Sequence, residues 1–480
     1  SGTPLPLGEG GRGVRGRSVR ICLNPMKKLA EYLSVEDAAV LMRKTADEIG
    51  ASEVAVVRNL GYVYSPVEVY PLAPKVTEPM DRIAAFAVDM DGTSTTTEPL
   101  ALHSLEYMVR RFTNRMTREE WPGLDRTLDY PYVIGNSNFR HTEFLVNRYE
   151  AHLDVDALRS AFIEALLWTL ACMDDRHRLK DIRIDAVNCG LESLLSDPEF
   201  NALVGSGDVT SENASVLAHT FEERYRNAFD VSHHSALVSA ALDVYYLRYH
   251  SILRLVERGE GKRLSGELLG DSSRHLVEPM PGYGVFLALI KGFLGEHASK
   301  LAPVLLAHCP GDKAEAEKRL ADLGRRFQKR PARIGLVTAS IAYETHATIR
   351  AIFEVMREEA AEWPLPDIIL SDLDAFFADY MSAYDGFVCA TDASEARLKP
   401  HRDLYTIALY QMSIPRKDYC RCVGLEDTEP GIISLRASGV GCAVALPNHD
   451  TTQQSYQAAA HVVHGGLPEL ILKHNLLLKA

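Results

Sequence analysis

No apolar stretch in this chain of 480 residues approaches the roughly 18–20 residues that a helix needs to cross a bilayer, so no membrane-spanning helix and no membrane partner is expected. Cysteine is sparse, with eight in the sequence, and no two have the paired spacing of a zinc site. Reduced thiols and a cytoplasmic location are the expectation. Cys420 and Cys422 flank Arg421 on an expected strand, which would turn both to one face as small buried residues. Positive charge is in deficit: a net −13 at pH 7 argues against general nucleic-acid binding, which depends on neutralising phosphates. Any anionic ligand must therefore be drawn in by local charge. Residues 1–20 lack an apolar core segment and are no secretory signal. Their Gly8-Glu9-Gly10-Gly11-Arg12-Gly13 matches a dinucleotide fingerprint in letters only, since no strand precedes it. Met26-Lys27-Lys28 looks like a natural start, so residues 1–25 are expected to be a disordered tail or upstream sequence.

The composition that is present, 46% apolar and 24% charged, is that of a globular protein, and the length calls for two or more domains. Four short segments carry chemistry. Ile83 to Val88 is an apolar run followed at once by Asp89-Met90-Asp91-Gly92-Thr93, which places two carboxylates at the carboxyl edge of a strand, where open α/β sheets bind ligands. Ile334-Gly335-Leu336-Val337 is a second apolar strand and ends in Thr338. Lys399-Pro400 precedes a helical run from Asp403 to Met412. Cys422 to Leu425 is another strand, ending in Glu426-Asp427, with Gly431 and a helix after it. Taken singly, each has a bland explanation, such as an acidic turn capping a helix. A carboxylate nucleophile, a second carboxyl two residues on, a hydroxyl, an ammonium and further acids together suit attack on phosphorus.

In this order the segments resemble the haloacid dehalogenase superfamily, in particular the branch that holds β-phosphoglucomutase and phosphoglycolate-type phosphatases. The resemblance implies Asp89 as nucleophile, Asp91 as acid/base, and Thr338 and Lys399 as phosphate-holding groups. It implies Mg2+ held by Asp89, the backbone carbonyl of Asp91 and Asp427, with Glu426 acting through water. The family continues Lys-Pro-x-Pro, whereas Arg402 replaces the second proline here, so Arg402 is a candidate for altering the loop or touching substrate. The implied fold is a doubly wound parallel α/β sheet with a Rossmann-like core and a large all-helical cap inserted after the first strand.

The expected organisation is an extension over 26–80, core segments at 81–95 and 276–480, and a cap over 96–275. The extension would be helical, then extended over 53–72, with Ser34-Val35-Glu36-Asp37 opening a helix. Within the cap, Leu242, Tyr245, Tyr246, Tyr249, Ile252, Leu253 and Val256 recur at helical steps, as do Leu158, Phe162, Ala165, Leu166 and Met173. The tyrosine stripe reads first as buried packing and second as a pocket wall. Pro281-Gly282 would turn the chain back to the core, and 294–331 would be a helical insertion. Asp367 to Leu370, Gly386 to Cys389 and Cys442 to Leu446 are further expected strands. Candidate substrate contacts are Asn136, Asn138, Arg140 and His141, near Glu143, with Ser340 and Arg402 from the core. His103, soon after the first motif, reads as packing on a helix face; the pair His233-His234 has no partner at metal-ligand spacing and reads as surface or core. The expected activity is Mg2+-dependent hydrolysis of a small phosphorylated metabolite. A phosphomutase, or a binding protein that retains the fold, is the alternative.

Overall fold

The structure, a computed structural model, describes residues 34–60 and 63–477. The readings made for residues 1–33 lie outside the described residues. Ser34 opens the helix Val35–Ile49, accepting a 3.4 Å hydrogen bond from the Asp37 N–H and donating to its carboxylate at 3.0 Å. Residues from 49 onward form a separate compact unit.

In that unit β1 (Glu53–Arg58) and β2 (Val67–Leu72) make an antiparallel pair. The main sheet has six strands: β3 (Ala85–Asp89), β4 (Arg333–Val337), β5 (Gly386–Val388), β6 (Cys422–Glu426), β7 (Cys442–Ala445) and β8 (His461–Val462). Their order is β5-β4-β3-β6-β7-β8, and every pairing is parallel. Alternation along β3 explains the three layers. Phe86 and Val88 face a core shared with Phe286 and Phe327, while Ala85 and Ala87 face Leu404, Tyr405 and Leu435. The helices Tyr283–Ile290 and Lys313–Lys329 therefore cover one face, and Asp403–Gln411 and Glu429–Ser438 the other. The protein is a doubly wound parallel α/β fold.

Residues 96–275 contain no strand and fold as a series of helices. The two longest, Val155–Cys172 and His234–Leu255, are buried nearly all round. The apolar core runs without a break from Val88 of the sheet to Phe162 and Leu253 of these helices. Among the described residues no helix is long and apolar enough to cross a membrane.

Two expected strands are corrected. Asp367 to Leu370 opens the helix Asp367–Ala378 instead, because Leu373 and Phe377 continue its apolar positions at helical steps and both are buried. The Cys420–Cys422 segment is not a strand up to Arg421: residues Arg416–Arg421 form a 3-10 turn. The turn leaves Cys420 exposed and only Cys422 buried.

Candidate active site

The chain leaves β3 to build β4 and β5 on one side, then returns to build β6, β7 and β8 on the other. That reversal opens a crevice at the carboxyl ends of the central strands. Asp89 ends β3, Glu426 ends β6 with Asp427 next, and Thr338 follows β4. Lys399 reaches the same point from the loop before Asp403–Gln411. Gly92 lets the strands close up here: its φ is 76°, and a Cβ would lie 2.2 Å from Asp427 Oδ2 and 2.7 Å from Asn448 Nδ2.

Lys399 Nζ donates to Asp89 and lies 2.7 Å from Glu426 Oε1. Glu426 also accepts from Tyr405 at 2.6 Å and from Thr428 at 3.0 Å. Asp427 accepts from Asn448 Nδ2 at 2.8 Å and Thr93 at 3.3 Å. Asp91 has different company. Thr338 and Ser340 donate to its Oδ2 at 2.9 and 3.0 Å, and Thr97 donates to its Oδ1 at 2.5 Å. Burial, then the charge of Glu426, pushes the Asp89 and Asp427 carboxyls well above their ordinary range. Burial also works against the charge on Lys399, but Asp89 and Glu426 outweigh it and raise the ammonium pKa.

Asp89, Glu426 and Asp427 each offer an oxygen within 4.8 Å of the others, all buried. An all-oxygen anionic set suits a hard divalent cation such as Mg2+. One ammonium among these carboxylates leaves a charge deficit that such an ion would fill. The Asp91 side chain is turned to hydroxyls, so its part in holding an ion would fall to its backbone carbonyl. Glu426 is already engaged by three donors, which fits a supporting position.

A small, partly open cavity of about 60 Å³ lies over Asp89 and Asp91. Asn136, Asn138, His141 and Ser340 line it. Arg140 and Arg402 are not in its lining. The helix Asn138–Tyr149 turns His141, Thr142, Leu145 and Val146 inward, and Arg140, about 100° away around the axis, donates instead to the Arg58 carbonyl at 3.1 Å. Arg402 is exposed and lies 5.7 Å from the ring centre of Tyr70. His103 accepts from Arg248 at 3.1 Å, and His233 and His234 are exposed. Thr97, Glu98, Tyr245 and Tyr249 also line the cavity. The tyrosines had a signal in their helical period; Glu98, and Asn448 beside Asp427, had none.

The antiparallel pair acquires a role here. Glu68 and Tyr70 of β2 touch the loop that carries Lys399: Arg397 Nη1 lies 2.6 Å from Glu68 Oε1, and the Tyr70 hydroxyl 2.8 Å from His401 Nδ1. Arg397 is held from the other side by Asp403 at 2.9 Å. Fully buried Arg436 ties the same hairpin down through the Ala73 carbonyl at 2.6 Å and Glu53 at 2.8 Å.

Fold and site together define a doubly wound α/β protein with a cation-ready acidic centre at its topological switch point. No family model and no curated protein matches the chain. Among solved structures it is similar to CbbY from Rhodobacter sphaeroides in complex with phosphate, at 14% identity over 81% of this chain and 96% of that one, TM-score 0.37. A mutant of CbbY in complex with xylulose-(1,5)bisphosphate is similar at 13% identity over 79% and 93%, TM-score 0.36. A hydrolase from Pseudomonas syringae is similar at 11% identity over 81% and 96%, TM-score 0.34. At these scores the reading rests on the strand order and the residues at the sheet edge.

Proposed function

We propose that the protein is a phosphohydrolase of the haloacid dehalogenase type, acting with Mg2+ on a small phosphate monoester. The observation that carries the reading is the contrast between two acids two residues apart. Asp89 faces an ammonium and two further carboxylates, the setting of a nucleophile held beside a cation. Asp91 sits among hydroxyls, the setting of a proton carrier.

In the first step an Asp89 oxygen bonds to phosphorus as the ester P–O bond breaks, and the leaving oxygen takes the proton of Asp91. In the second, Asp91 accepts a proton from water, the water oxygen bonds to phosphorus, and the acyl-phosphate bond breaks to return Asp89 and release phosphate. Lys399, Thr338 and Ser340 would hold the phosphoryl oxygens. A bound Mg2+ would supply charge neutralisation between the acids and the phosphate. Turnover of an aryl phosphate with Mg2+, abolished by EDTA and restored by added metal, is the test. Absence of turnover in metal-loaded protein would overturn the reading.

A further inference from the structure

The cavity over Asp89 has two chemically unlike walls. The sheet side supplies the acids and Lys399, the one cationic side chain among the described residues in its lining. The opposite side is built from Asn136, Asn138, His141, Tyr245 and Tyr249, with Glu98 beside them. These are uncharged hydrogen-bonding groups and one acid, whose carboxyl burial lifts to about 8; among the described residues no arginine or lysine of the helical region lines the cavity.

His141 is 8% exposed, and neither ring nitrogen makes a well-formed hydrogen bond, the Asn136 backbone meeting the ring only loosely. A buried polar atom without a well-formed hydrogen bond is costly, so the ring is a group waiting for one. Burial pushes its pKa down to about 3, and the Asn136 backbone offsets this only in part; the ring is neutral at physiological pH and can both donate and accept. Asn138 is already oriented: its Oδ1 accepts from Tyr245 and its Nδ2 donates to Glu344, both at 3.4 Å. Glu344 in turn meets His250 at 3.0 Å, with both residues 1% exposed.

We infer that the organic part of the substrate is a short, uncharged, hydroxylated group, bound by His141, Asn136, Asn138, Tyr245 and Tyr249, and that acidic leaving groups are rejected. The inference rests on the phosphohydrolase reading of the same site. A carboxylate or second phosphate placed here would give up its water for uncharged groups, with no arginine or lysine beyond Lys399 among the described residues lining the cavity to answer it, and an uncompensated buried charge is costly. A hydroxyl meets donors and acceptors on several sides. The small volume of the cavity keeps the group short.

Matched pairs test this. Wild-type protein with Mg2+ is assayed on 2-hydroxyethyl phosphate against 2-phosphoglycolate, and on glycerol 1-phosphate against 3-phosphoglycerate, with an aryl phosphate as reference. The same four compounds are titrated calorimetrically into the Asp89→Asn protein, so that selectivity is read without turnover. The neutral member of each pair is expected to lead by about 100-fold or more in kcat/KM and to bind detectably tighter. His141→Phe should lower kcat/KM for glycerol 1-phosphate about tenfold, the loss of one buried hydrogen bond, and His141→Gln should recover part of that. Equal or reversed preference in both assays overturns the inference while an active aryl phosphate assay leaves the hydrolase reading standing. Failure on the aryl phosphate with a retained binding preference overturns the hydrolase reading alone.

Discussion

Thr338 donates its hydroxyl proton to Asp91 Oδ2 at 2.9 Å, and Ser340 donates to the same oxygen at 3.0 Å. A phosphoryl group over Asp89 would compete for both hydroxyls. On the proposed function, substrate binding would exchange partners: the hydroxyls would turn to the phosphoryl oxygens and release Asp91 to the leaving group. Asp91→Asn should slow hydrolysis by about 10²–10⁴-fold. The loss should be larger for an alkyl than for an aryl phosphate, because a good leaving oxygen needs less protonation. Equal losses for the two esters would remove Asp91 from the proton-transfer role.

Asp89→Asn should abolish turnover, since an amide forms no acyl-phosphate, yet it should not lower the melting temperature of metal-free protein at pH 7. Burial and Glu426 already disfavour the charged carboxyl, and Lys399 keeps Glu426 as a partner. The rise in Tm on adding Mg2+ should shrink with it. Thermal melts with Mg2+ and with EDTA check both points.

Lys399→Ala leaves Asp89 and Glu426 buried without their ammonium. Breaking one side of a buried pair costs about 3–5 kcal/mol, and urea unfolding at pH 7 should show a loss of that order. At pH 5 the loss should be smaller, because the raised Asp89 carboxyl takes up a proton more readily. A cost independent of pH would mean that Lys399 is not the counter-charge of these acids.

Glu344 gives a pH signature away from the metal-ready acids. Burial, then the charge of Asp91, lifts its carboxyl from the ordinary 4.5 to about 8, while burial keeps His250 neutral. Between those values the folded state binds more protons than the unfolded one. Its stabilising contribution is therefore full below pH 4.5 and is lost as pH rises through 8. Glu344→Gln mimics the protonated acid. The Tm of the variant relative to wild type should climb between pH 5 and pH 8.5; a flat difference would contradict the shift.

Glu68→Ala combined with Tyr70→Phe should loosen the Lys399 loop. The Glu68–Arg397 pair is about one-third exposed, so the stability cost should stay within about 1 kcal/mol. KM for a phosphate ester should nevertheless rise severalfold. An unchanged KM would reduce the β1–β2 pair to packing.

Strand ends and their chemistry were legible in sequence because they are local. Ile83 to Asp91 and Cys422 to Asp427 each hold an apolar run and its acids within a few residues, and a parallel sheet has to present such ends at one edge. The helical character of 96–275 was legible for the same reason, since its period of three and four is written in consecutive residues. Asp367 to Leu370 misled because four apolar-rich residues do not distinguish strand from helix; Leu373 and Phe377 decide it. Which long side chains reach the site depends on rotation around a helix and on what lies opposite. Arg140 and His141 are neighbours in sequence, but the turn of one helix sends the first to the Arg58 carbonyl and the second into the cavity. Nothing local marks the brace from Glu68 and Tyr70, whose partners Arg397 and His401 lie 329 and 331 residues away. The acidic sheet edge and the helical series over 96–275 could be read from consecutive residues. The uncharged wall facing that edge, and the support under Lys399, were decided only by packing.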